Sequence, residues 1–220
     1  MKICVIIPAY NEEKNIRWLV SSLKKSGYAV LVIDDGSSDG TSNEAASAGA
    51  EVLRNGVNQG KGASLIRGFS HVKRGEFDGV IVMDGDGQHL PEDIPALLSA
   101  AGAGGNLVVG NRMARPGEMP LSRWLTNKFM SFLLSCLTKQ RIPDSQCGFR
   151  FISASTLAKL RLSCSNYEIE SEMLLAAGRS GCKILSVPVK SVYRGTKSQI
   201  DPLLDTVRFF RFIWRKLRCR

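Results

Sequence analysis

Two aspartates, Asp84 and Asp86, stand one residue apart directly after the apolar run at 79–83. The neighbouring Gly85 and Gly87 permit a turn that brings both carboxylates toward one point. Two carboxylates suit a hard divalent cation such as Mg²⁺ or Mn²⁺, because these ions prefer oxygen ligands. The side chains that could complete or support the ligand shell are Gln88 and His89. A solvated acidic turn would use the same residue types, but the position at the end of an apolar strand favours metal binding.

A second pair of acidic residues, Asp34 and Asp35, ends the apolar run at 29–33. A buried carboxylate at such a position can accept hydrogen bonds from the base or ribose of a nucleoside, and we expect this of Asp35. The next residues, "GSSDGT" at 36–41, are typical of a turn and a helix cap. Capping and turn formation account for those residues but leave the two aspartates unexplained.

The glycine-rich stretch "NGVNQGKGAS" at 55–64 suggests a phosphate-binding loop but departs from its pattern. Gly56 and Gly60 are one residue too close for GxxxxGK[ST], and Gly62 stands where a serine or threonine would hold magnesium. Lys61, near a helix start, could still contact a phosphate or an acidic neighbour. The chain contains no GxGxxG fingerprint, so a dinucleotide-dependent oxidoreductase is disfavoured.

These residues follow short apolar runs that alternate with amphipathic segments through residue 112. The predicted strands cover 2–8, 29–35, 51–55, 79–84 and 106–112, and the predicted helices cover 13–26, 41–48, 60–74 and 91–101. Near-continuous apolar strands that alternate with helices predict a parallel sheet covered on both faces. Ligands bind such sheets at the carboxyl ends of the strands, where the acidic, basic and glycine-rich stretches of this chain gather.

The second half of the chain alternates less regularly. The predicted elements there are a helix at 121–137, a turn into a short strand at 144–153, a helix at 169–180 and a strand at 183–193. The sequence contains no internal repeat and no low-complexity linker. We therefore expect one principal domain.

Composition and charge exclude several classes of protein. Of the 220 residues, 44% are hydrophobic and 23% charged, as in an ordinary folded protein. The six cysteines lie far apart, without a CxxC pair or histidines at zinc spacing, so we expect reduced thiols in a cytosolic setting. The N-terminal apolar run is too short for a signal peptide, and no stretch of about 18 apolar residues predicts a membrane span. The net charge of +10 indicates an anionic partner.

The C-terminal segment 203–220 carries half of that charge, +5, and has an amphipathic helical pattern. One stripe contains Leu203, Val207, Phe210, Trp214 and Leu217, and a neighbouring stripe contains Arg208, Arg211, Arg215 and Arg218. Such a helix can lie in the interface of an anionic membrane. A terminal helix packed on the core with a solvated rim is the alternative. The apolar residues at 124–137 are a second candidate for lipid contact.

Five motifs occur in one order along the chain: "VIIPAYNEE", "VIDDGSSDGT", "NQGKGAS", "MDGDGQH" and "GNR". Together they resemble the family 2 glycosyltransferases, which have the GT-A fold, and within them the polyprenyl-phosphate sugar transferases such as dolichyl-phosphate mannose synthase. The later stretches "DSQCGFRFIS", "YEIESEMLLAA" and "YRGTKSQI" extend the resemblance over nearly the whole chain. It implies an α/β GT-A fold with a mostly parallel central sheet, flanking helices and a C-terminal amphipathic helix. The implied catalytic domain is 1–201, with nucleotide-sugar binding in 1–112 and acceptor binding in 113–201, followed by the basic tail at 202–220.

The resemblance also implies roles for individual residues. The implied nucleotide-sugar site contains Pro8, Tyr10, Glu12, Asp35, Asp84, Gly85 and Asp86, and Lys61 joins this set through its place near a helix start. The implied ligands of the metal on the donor diphosphate are Asp84, Asp86 and Gln88, with glycine at position 85 where many relatives carry alanine. Arg112 and Arg123 match basic residues that clamp phosphate, and with Asp86 they form the implied catalytic set. Arg194 and Lys197 match a later basic pair that reaches the same phosphates.

The implied reaction is the inverting transfer of a hexose, mannose or glucose, from a GDP- or UDP-sugar to polyprenyl phosphate, with Mg²⁺ or Mn²⁺ as cofactor. Metal and basic residues would stabilise charge on the departing diphosphate. A lipid phosphate needs no general base because it is already an anion. The implied partners are the nucleotide sugar, the lipid phosphate and the cytoplasmic face of a membrane, which the basic C-terminal helix would contact peripherally.

Other functions are compatible with parts of the sequence. A family 2 enzyme acting on a saccharide hydroxyl would need a base, for which Asp144 and Glu170 are candidates. Their structural alternatives are a turn cap and a helix-start acid. A nucleotide-sugar-binding protein without turnover belongs to another class, which the intact Asp84 and Asp86 disfavour. Nucleic-acid binding is not expected, because aromatic and basic residues do not interleave outside the tail.

Overall fold

The computed structural model describes residues 1–73, 75–114, 119–190, 192, 209, 211–214 and 216. Its strands are β1 (Ile3–Ala9), β2 (Ala29–Asp34), β3 (Glu51–Arg54), β4 (Gly79–Val82), β5 (Leu107–Asn111), β6 (Arg150–Ser153) and β7 (Ile184–Pro188). Its helices are α1 (Glu13–Lys25), α2 (Thr41–Ser47), α3 (Lys61–Val72), α4 (Ile94–Gly102), α5 (Leu121–Thr138), α6 (Ala154–Lys159) and α7 (Ile169–Arg179). Strands and helices alternate along the first half of the chain, as the sequence predicts.

The described strands form a seven-stranded sheet in the order β3-β2-β1-β4-β6-β5-β7. β1 is parallel to β2 and β4, β3 is parallel to β2, and β7 is parallel to β5. β6 is antiparallel to β4 and β5, and its first residue Arg150 lies opposite Val82 and Val109. The predicted mostly parallel sheet is thus confirmed. Because β6 runs in reverse, its beginning lies at the edge where the parallel strands end.

The core forms where apolar strands meet one face of each flanking helix. β1 is buried at every position, as expected of a central strand with helices packed against its sheet. In α1 the helical spacing of Ile16, Leu19 and Leu23 turns all three side chains fully into the core. α3 approaches the sheet closely at Gly68, where a Cβ would lie 2.8 Å from Ile33 Cδ1. These contacts fix the strand ends that carry the polar residues.

Some element boundaries differ from the sequence prediction for local reasons. The helix predicted at 91–101 begins as a 3₁₀ turn, Pro91–Asp93, and continues as α4. The strand predicted at 183–193 is shorter, Ile184–Pro188, and its last contact with β5 is the hydrogen bond from the Val189 N–H to the Asn111 carbonyl oxygen at 3.3 Å. The short helix α6 was not predicted, because six residues carry too little periodicity. Ser153 caps it by accepting a hydrogen bond from the Thr156 N–H at 3.2 Å.

The described tail residues are helical and lie against α7. Phe209 and Phe212 are buried in the core, and the Lys216 ammonium lies 2.7 Å from a carboxylate oxygen of Glu172 in α7. This is the arrangement expected of a core-packed tail, although Trp214 is 60% exposed. Among the described residues, no helix combines the length and apolarity needed to cross a bilayer. The other members of the predicted apolar stripe, Leu203, Val207, Phe210 and Leu217, lie outside the described residues.

Candidate functional site

The carboxyl edge of the sheet brings Lys61, Asp84 and Glu170 together from three elements. Asp84 follows β4, Lys61 begins α3, and Glu170 lies in the first turn of α7. The Lys61 ammonium lies 2.6 Å from Asp84 Oδ1 and 2.6 Å from Glu170 Oε1, and 5.8 Å from the ring centroid of Tyr167. Burial would lower the pKa of Lys61, but the two carboxylates outweigh burial and raise it. Lys61 is therefore a fixed cation at this edge.

Glycines explain how α3 begins so close to the site. Gly60 has φ +96°, a conformation that glycine adopts without strain. A Cβ at Gly60 would overlap the carbonyl oxygen of Ser165, and one at Gly62 would overlap that of Cys164. The "GKG" sequence is thus required by direct packing of backbone on backbone, and the lysine between the glycines turns into the site. The departure from the P-loop pattern has this structural reason.

Asp84 occupies a crowded and electropositive position. A Cβ at Gly148 would lie 2.5 Å from Asp84 Oδ2, so any larger residue there would displace the Asp84 carboxylate. His89 Nε2 lies 3.9 Å from the same oxygen. Burial opposes ionisation, yet the charge and hydrogen bond of Lys61 and the charge of Arg112 lower the pKa of Asp84 to about 2. Asp84 is accordingly ionised.

Asp86 has the opposite electrostatic environment. Burial and the neighbouring Asp84 charge raise the pKa of Asp86 to about 6, although the Gln88 N–H donates a hydrogen bond to its Oδ1 at 3.0 Å. Burial also raises the pKa of Glu12, and the charges of Asp86 and Asp84 add to that effect. Glu12, Asp84 and Asp86, together with Glu170, are four carboxylates, and their negative charge exceeds the single positive charge of Lys61. This excess suits a cation.

The carboxylates of Asp84 and Asp86 fit a divalent metal that also binds ligands from outside the protein. Asp84 and Asp86 supply the hard oxygen atoms that Mg²⁺ and Mn²⁺ prefer. In the described part of the chain, no three His, Cys, Asp or Glu side chains converge closely enough to form a complete protein cage. Magnesium characteristically binds through one or two carboxylates, with substrate phosphates and water filling the remaining positions. Asp84 and Asp86 would therefore fit a divalent metal that takes its remaining ligands from outside the protein.

His89 and Gln88 lie differently on the turn that contains Asp84 and Asp86. His89 is buried and stacks on Phe149, with ring centroids 5.2 Å apart. Burial lowers the pKa of His89 to about 4, so its ring is neutral near pH 7, and within the described residues its Nδ1 has no hydrogen-bond partner. The carbonyl of Gln88 accepts a hydrogen bond from the Val192 N–H at 3.0 Å. Metal ligation by the Gln88 side chain stays a prediction.

Arg112 and Asp144 form a bidentate pair beside this turn. The backbone N–H, Nε and Nη2 of Arg112 donate to the Asp144 carboxylate at 3.0, 2.9 and 3.0 Å. Burial opposes the ionised form of Asp144, but Arg112 lowers its pKa. Arg123 lies in the first turn of α5 and is half-buried. The other predicted phosphate-binding residues, Arg194 and Lys197, lie outside the described residues.

Asp35 organises the loop that follows β3. Its Oδ1 accepts hydrogen bonds from Asn55 Nδ2 at 2.6 Å and from the Gln59 N–H at 3.0 Å. Its Oδ2 accepts one from the Gly60 N–H at 2.8 Å. The neighbouring Asp34 accepts from the Ser37 N–H and anchors the next turn. A loop-positioning role, which sequence reasoning missed, thus accompanies the predicted contact of Asp35 with a nucleoside.

The remaining predicted nucleotide-sugar residues lie at the end of β1. Pro8 is the penultimate residue of the strand, and Tyr10 follows it, half-buried. A Cβ at Gly85 would make ordinary 3.4 Å contacts with Ala9, Glu12 and the carbonyl oxygen of Pro8. An alanine therefore fits at position 85 in this chain.

Arg150 is a further buried cation that sequence reasoning missed. Its guanidinium is fully buried and donates to the carbonyl oxygens of Ser145, Cys147 and Glu170 at 2.7, 2.7 and 2.6 Å. These bonds join the loop after Asp144 to the start of α7. The only sequence signal was a charged residue opening an apolar strand, which does not reveal its partners.

The family follows from comparisons with known proteins. Residues 4–161 match the model of Glycosyl transferase family 2. The UDP-N-acetylglucosamine–dolichyl-phosphate N-acetylglucosaminyltransferase of Methanococcus voltae is 32% identical over 245 residues, with 98% of this chain and 96% of that protein covered. The undecaprenyl-phosphate mannosyltransferase of Micrococcus luteus is 31% identical over 207 residues, with 88% and 85% covered.

A solved structure extends the comparison to the fold. Glucosyl-3-phosphoglycerate synthase from Mycobacterium tuberculosis, in complex with Mn²⁺, UDP and phosphoglyceric acid, has a TM-score of 0.70 and 25% identity, with 96% of this chain and 75% of that chain covered. The complex of that enzyme with Mg²⁺ and UDP gives the same values. The predicted GT-A-like fold is confirmed. With a family match over most of its length and relatives above 30% identity, the chain belongs to glycosyl transferase family 2 and is a glycosyltransferase.

Proposed function

We propose that the protein transfers a hexose, mannose or glucose, from a GDP- or UDP-sugar to polyprenyl phosphate with inversion, using Mg²⁺ or Mn²⁺. Two relatives above 30% identity are named for transfer to dolichyl or undecaprenyl phosphate. Their names differ in the sugar, N-acetylglucosamine or mannose, so they support the acceptor class more strongly than the donor. We assign donor binding to residues 1–112 and acceptor binding to residues 113–201.

One observation carries the choice of acceptor: both candidate bases are already engaged with cations. Asp144 accepts three hydrogen bonds from Arg112, and Glu170 Oε1 lies 2.6 Å from Lys61. Transfer to a saccharide hydroxyl needs a base that takes up a proton, whereas the lowered pKa of Asp144 makes it a weak base. A lipid phosphate is an anion and attacks without one. The two ion pairs, Asp144 with Arg112 and Glu170 with Lys61, therefore support a phosphate acceptor.

The charge distribution supports departure of a nucleoside diphosphate. Asp84 and Asp86 would hold the divalent ion, which when bound stabilises negative charge on the diphosphate. Lys61 forms an ion pair with one oxygen of the Asp84 carboxylate, and Asp144 fixes the orientation of the Arg112 guanidinium. Cations that are positioned before the reaction stabilise developing charge without reorganisation. Attack by the acceptor from the face opposite the leaving group gives inversion.

A polyprenyl acceptor requires contact with a bilayer, for which we propose the basic tail on the cytoplasmic side of the membrane. Phe209 and Phe212 hold the described tail residues against the core, while Trp214 is 60% exposed and Arg211 is exposed. Aromatic and arginine side chains on one helix suit the interface of an anionic membrane. Arg211→Glu should weaken association with anionic vesicles, and Lys24→Glu on α1 is the matched charge control. Equal binding of both variants would contradict the role of the tail.

The purified protein tests the proposed reaction directly. A panel of GDP-mannose, UDP-glucose and UDP-N-acetylglucosamine is offered with polyprenyl phosphate or with soluble saccharides, in Mg²⁺, Mn²⁺ or EDTA. We expect a sugar linked to lipid phosphate, formed only when Mg²⁺ or Mn²⁺ is present. Its anomeric configuration, measured by NMR, should be inverted relative to the donor sugar. Transfer only to saccharide hydroxyls, or retention of configuration, would overturn the proposal.

A further inference from the structure

Helix α5 presents an apolar face to solvent. Four large side chains that share one face at helical spacing are exposed: Leu121 (71%), Leu125 (54%), Phe129 (51%) and Phe132 (63%). The opposite face, with Met130 and Leu134, is buried. Exposed apolar patches of this kind mark interaction sites in soluble proteins. We call these four residues the outer face of α5.

The charged residues in the segment that contains α5 are all basic. Residues 119–142 contain no aspartate or glutamate, and three of their basic residues are exposed: Lys128, Lys139 and Arg141. Arg123 is half-buried and lies on the same side of α5 as the buried Met130. Lys128 lies on the outer face itself, with its ammonium 5.2 Å from the Trp124 ring centroid. Lysine and tryptophan together are typical of a boundary between water and lipid, where a lysine stem lies along apolar surface while its charge stays hydrated.

The buried face of α5 contacts the acceptor side of the site. Ser131 Oγ accepts a hydrogen bond from the Ser145 N–H at 2.9 Å and lies 3.1 Å from Ser145 Oγ. Ser145 follows Asp144, which holds Arg112. A membrane contact on the outer face would therefore be separated from the Arg112–Asp144 pair by a single helix.

We propose that the outer face of α5 docks on an anionic bilayer surface and so brings the catalytic edge to its lipid acceptor. The proposal rests on the proposed function for the identity of that acceptor. Pairing of two copies through this face would bring the same exposed cations, Lys128, Lys139 and Arg141, together without an acid from residues 119–142 to neutralise them, whereas anionic headgroups complement them. The outer face belongs to a different segment of the chain from the basic tail at 202–220.

Vesicle binding by the full chain tests the apolar contribution. Leu125→Gln/Phe132→Gln should lower partition onto phosphatidylcholine vesicles with about one-third phosphatidylglycerol by roughly tenfold or more. The matched control, Leu125→Met/Phe132→Leu, keeps the face apolar and should bind like the parent chain. Circular dichroism and thermal melting check that both variants fold, which we expect because both positions are exposed.

Charge reversal tests the ionic contribution independently. Lys139→Glu/Arg141→Glu should weaken binding to the same vesicles by roughly tenfold or more. Lys24→Glu/Lys25→Glu, at the end of α1, makes an equal change in net charge away from α5 and should weaken binding less.

Activity distinguishes failed docking from a failed proposed function. With a short-chain, water-soluble prenyl phosphate, Leu125→Gln/Phe132→Gln should keep the parent rate, while its rate on acceptor embedded in vesicles falls with partition. Unchanged vesicle partition of this variant would overturn the docking proposal, as would a parent dimer that the variant converts to monomer. If the parent chain transfers to no prenyl phosphate at all, the proposed function fails, whatever the vesicles show.

Discussion

Lys61 Nζ and Asp84 Oδ1 lie 2.6 Å apart, an ion pair that joins the start of α3 to the end of β4. The same ammonium contacts Glu170, so one cation holds two largely buried carboxylates. Asp86, two residues after Asp84, is not neutralised in this way, and its pKa is raised to about 6 while that of Asp84 is lowered to about 2. The turn thus contains one carboxylate that the protein orients and one whose charge suits a bound cation.

Lys61→Met should destabilise the protein, because it leaves Asp84 and Glu170 without their shared cation. Removing one partner of a buried ion pair costs roughly 3–5 kcal/mol, and the lower end applies because Asp84 is partly exposed. Chemical denaturation measures this difference. Lys73→Met, at the exposed end of the same helix, is the control and should change the free energy of unfolding little. Equal stability of the two variants would contradict the account of Lys61.

Asp86→Asn should abolish metal-dependent binding of the donor nucleotide and lower transfer by about 10²-fold or more. The amide retains the shape of the side chain but removes the charge that would hold the cation. Electron paramagnetic resonance measures the affinity for Mn²⁺ without any turnover. Calorimetry with GDP and UDP measures the affinity for the nucleotide. Glu92→Gln, on the exposed turn before α4, is the control. Parent-like Mn²⁺ affinity in Asp86→Asn would remove the metal assignment.

The sequence was enough to predict which strand ends meet. Apolar runs located β1 to β5, and the rule that parallel strands bear ligands at their carboxyl ends placed Asp35, Asp84 and Arg112 at one edge. The structure confirms that placement. Local patterns were sufficient here because each residue directly follows its own strand.

The partners of Glu170, Arg150 and Gly148 could not be predicted in the same way. Each depends on β6 inserting in reverse between β4 and β5, a pairing between segments about 40 to 70 residues apart that periodicity does not encode. Gly148 contacts Asp84 only because of that insertion. The glycines around Lys61 were visible in the sequence. The sequence did not reveal why glycine is needed there, which is the close packing against residues 164–165.

Asp144→Asn separates an orienting role from a role as general base. If Asp144 orients Arg112, the variant should lose about tenfold in transfer to polyprenyl phosphate and keep the shape of its pH profile, because an amide oxygen can still accept from the fork. If Asp144 were a base, activity would collapse and the limb of the profile that reports its titration would disappear. Arg112→Lys should lose at least as much, since an ammonium cannot reproduce the bidentate pair. Arg141→Lys on the surface is the matched control.

Arg150→Met should lower the free energy of unfolding by roughly 3 kcal/mol or more, because it leaves three buried carbonyl oxygens without donors. Those oxygens belong to Ser145, Cys147 and Glu170, so the loop after Asp144 and the start of α7 would loosen together. Denaturant unfolding measures the loss. Arg161→Met removes an exposed arginine with one carbonyl contact at 3.2 Å and should cost much less. Similar costs for the two variants would contradict a special role for Arg150.

Glu172→Gln should make stability less dependent on pH in the acid range. The Glu172 carboxylate accepts from the N–H groups of Ser163 and Cys164 at 2.8 Å and lies 2.7 Å from the Lys216 ammonium. Burial opposes ionisation, but Lys216 and these hydrogen bonds lower the pKa of Glu172 below its ordinary 4.5. A carboxyl group with a lowered folded-state pKa stabilises the protein above its unfolded pKa, and the stabilisation is lost as pH falls through the folded value.

The variant should therefore melt below the parent chain at about pH 7, by the equivalent of roughly 1–3 kcal/mol, and the gap should narrow as pH falls below about 4.5. Glu168→Gln, whose side chain is half-buried just before α7, is the control and should show a smaller and less pH-dependent difference. Thermal melting by circular dichroism across this range gives both curves. A stability difference between the parent and Glu172→Gln that stays constant from neutral to acid pH would contradict this account. It would show that the charge of Glu172 does not hold the 163–164 loop. Another contact would then fix the segment packed against Gly60 and Gly62.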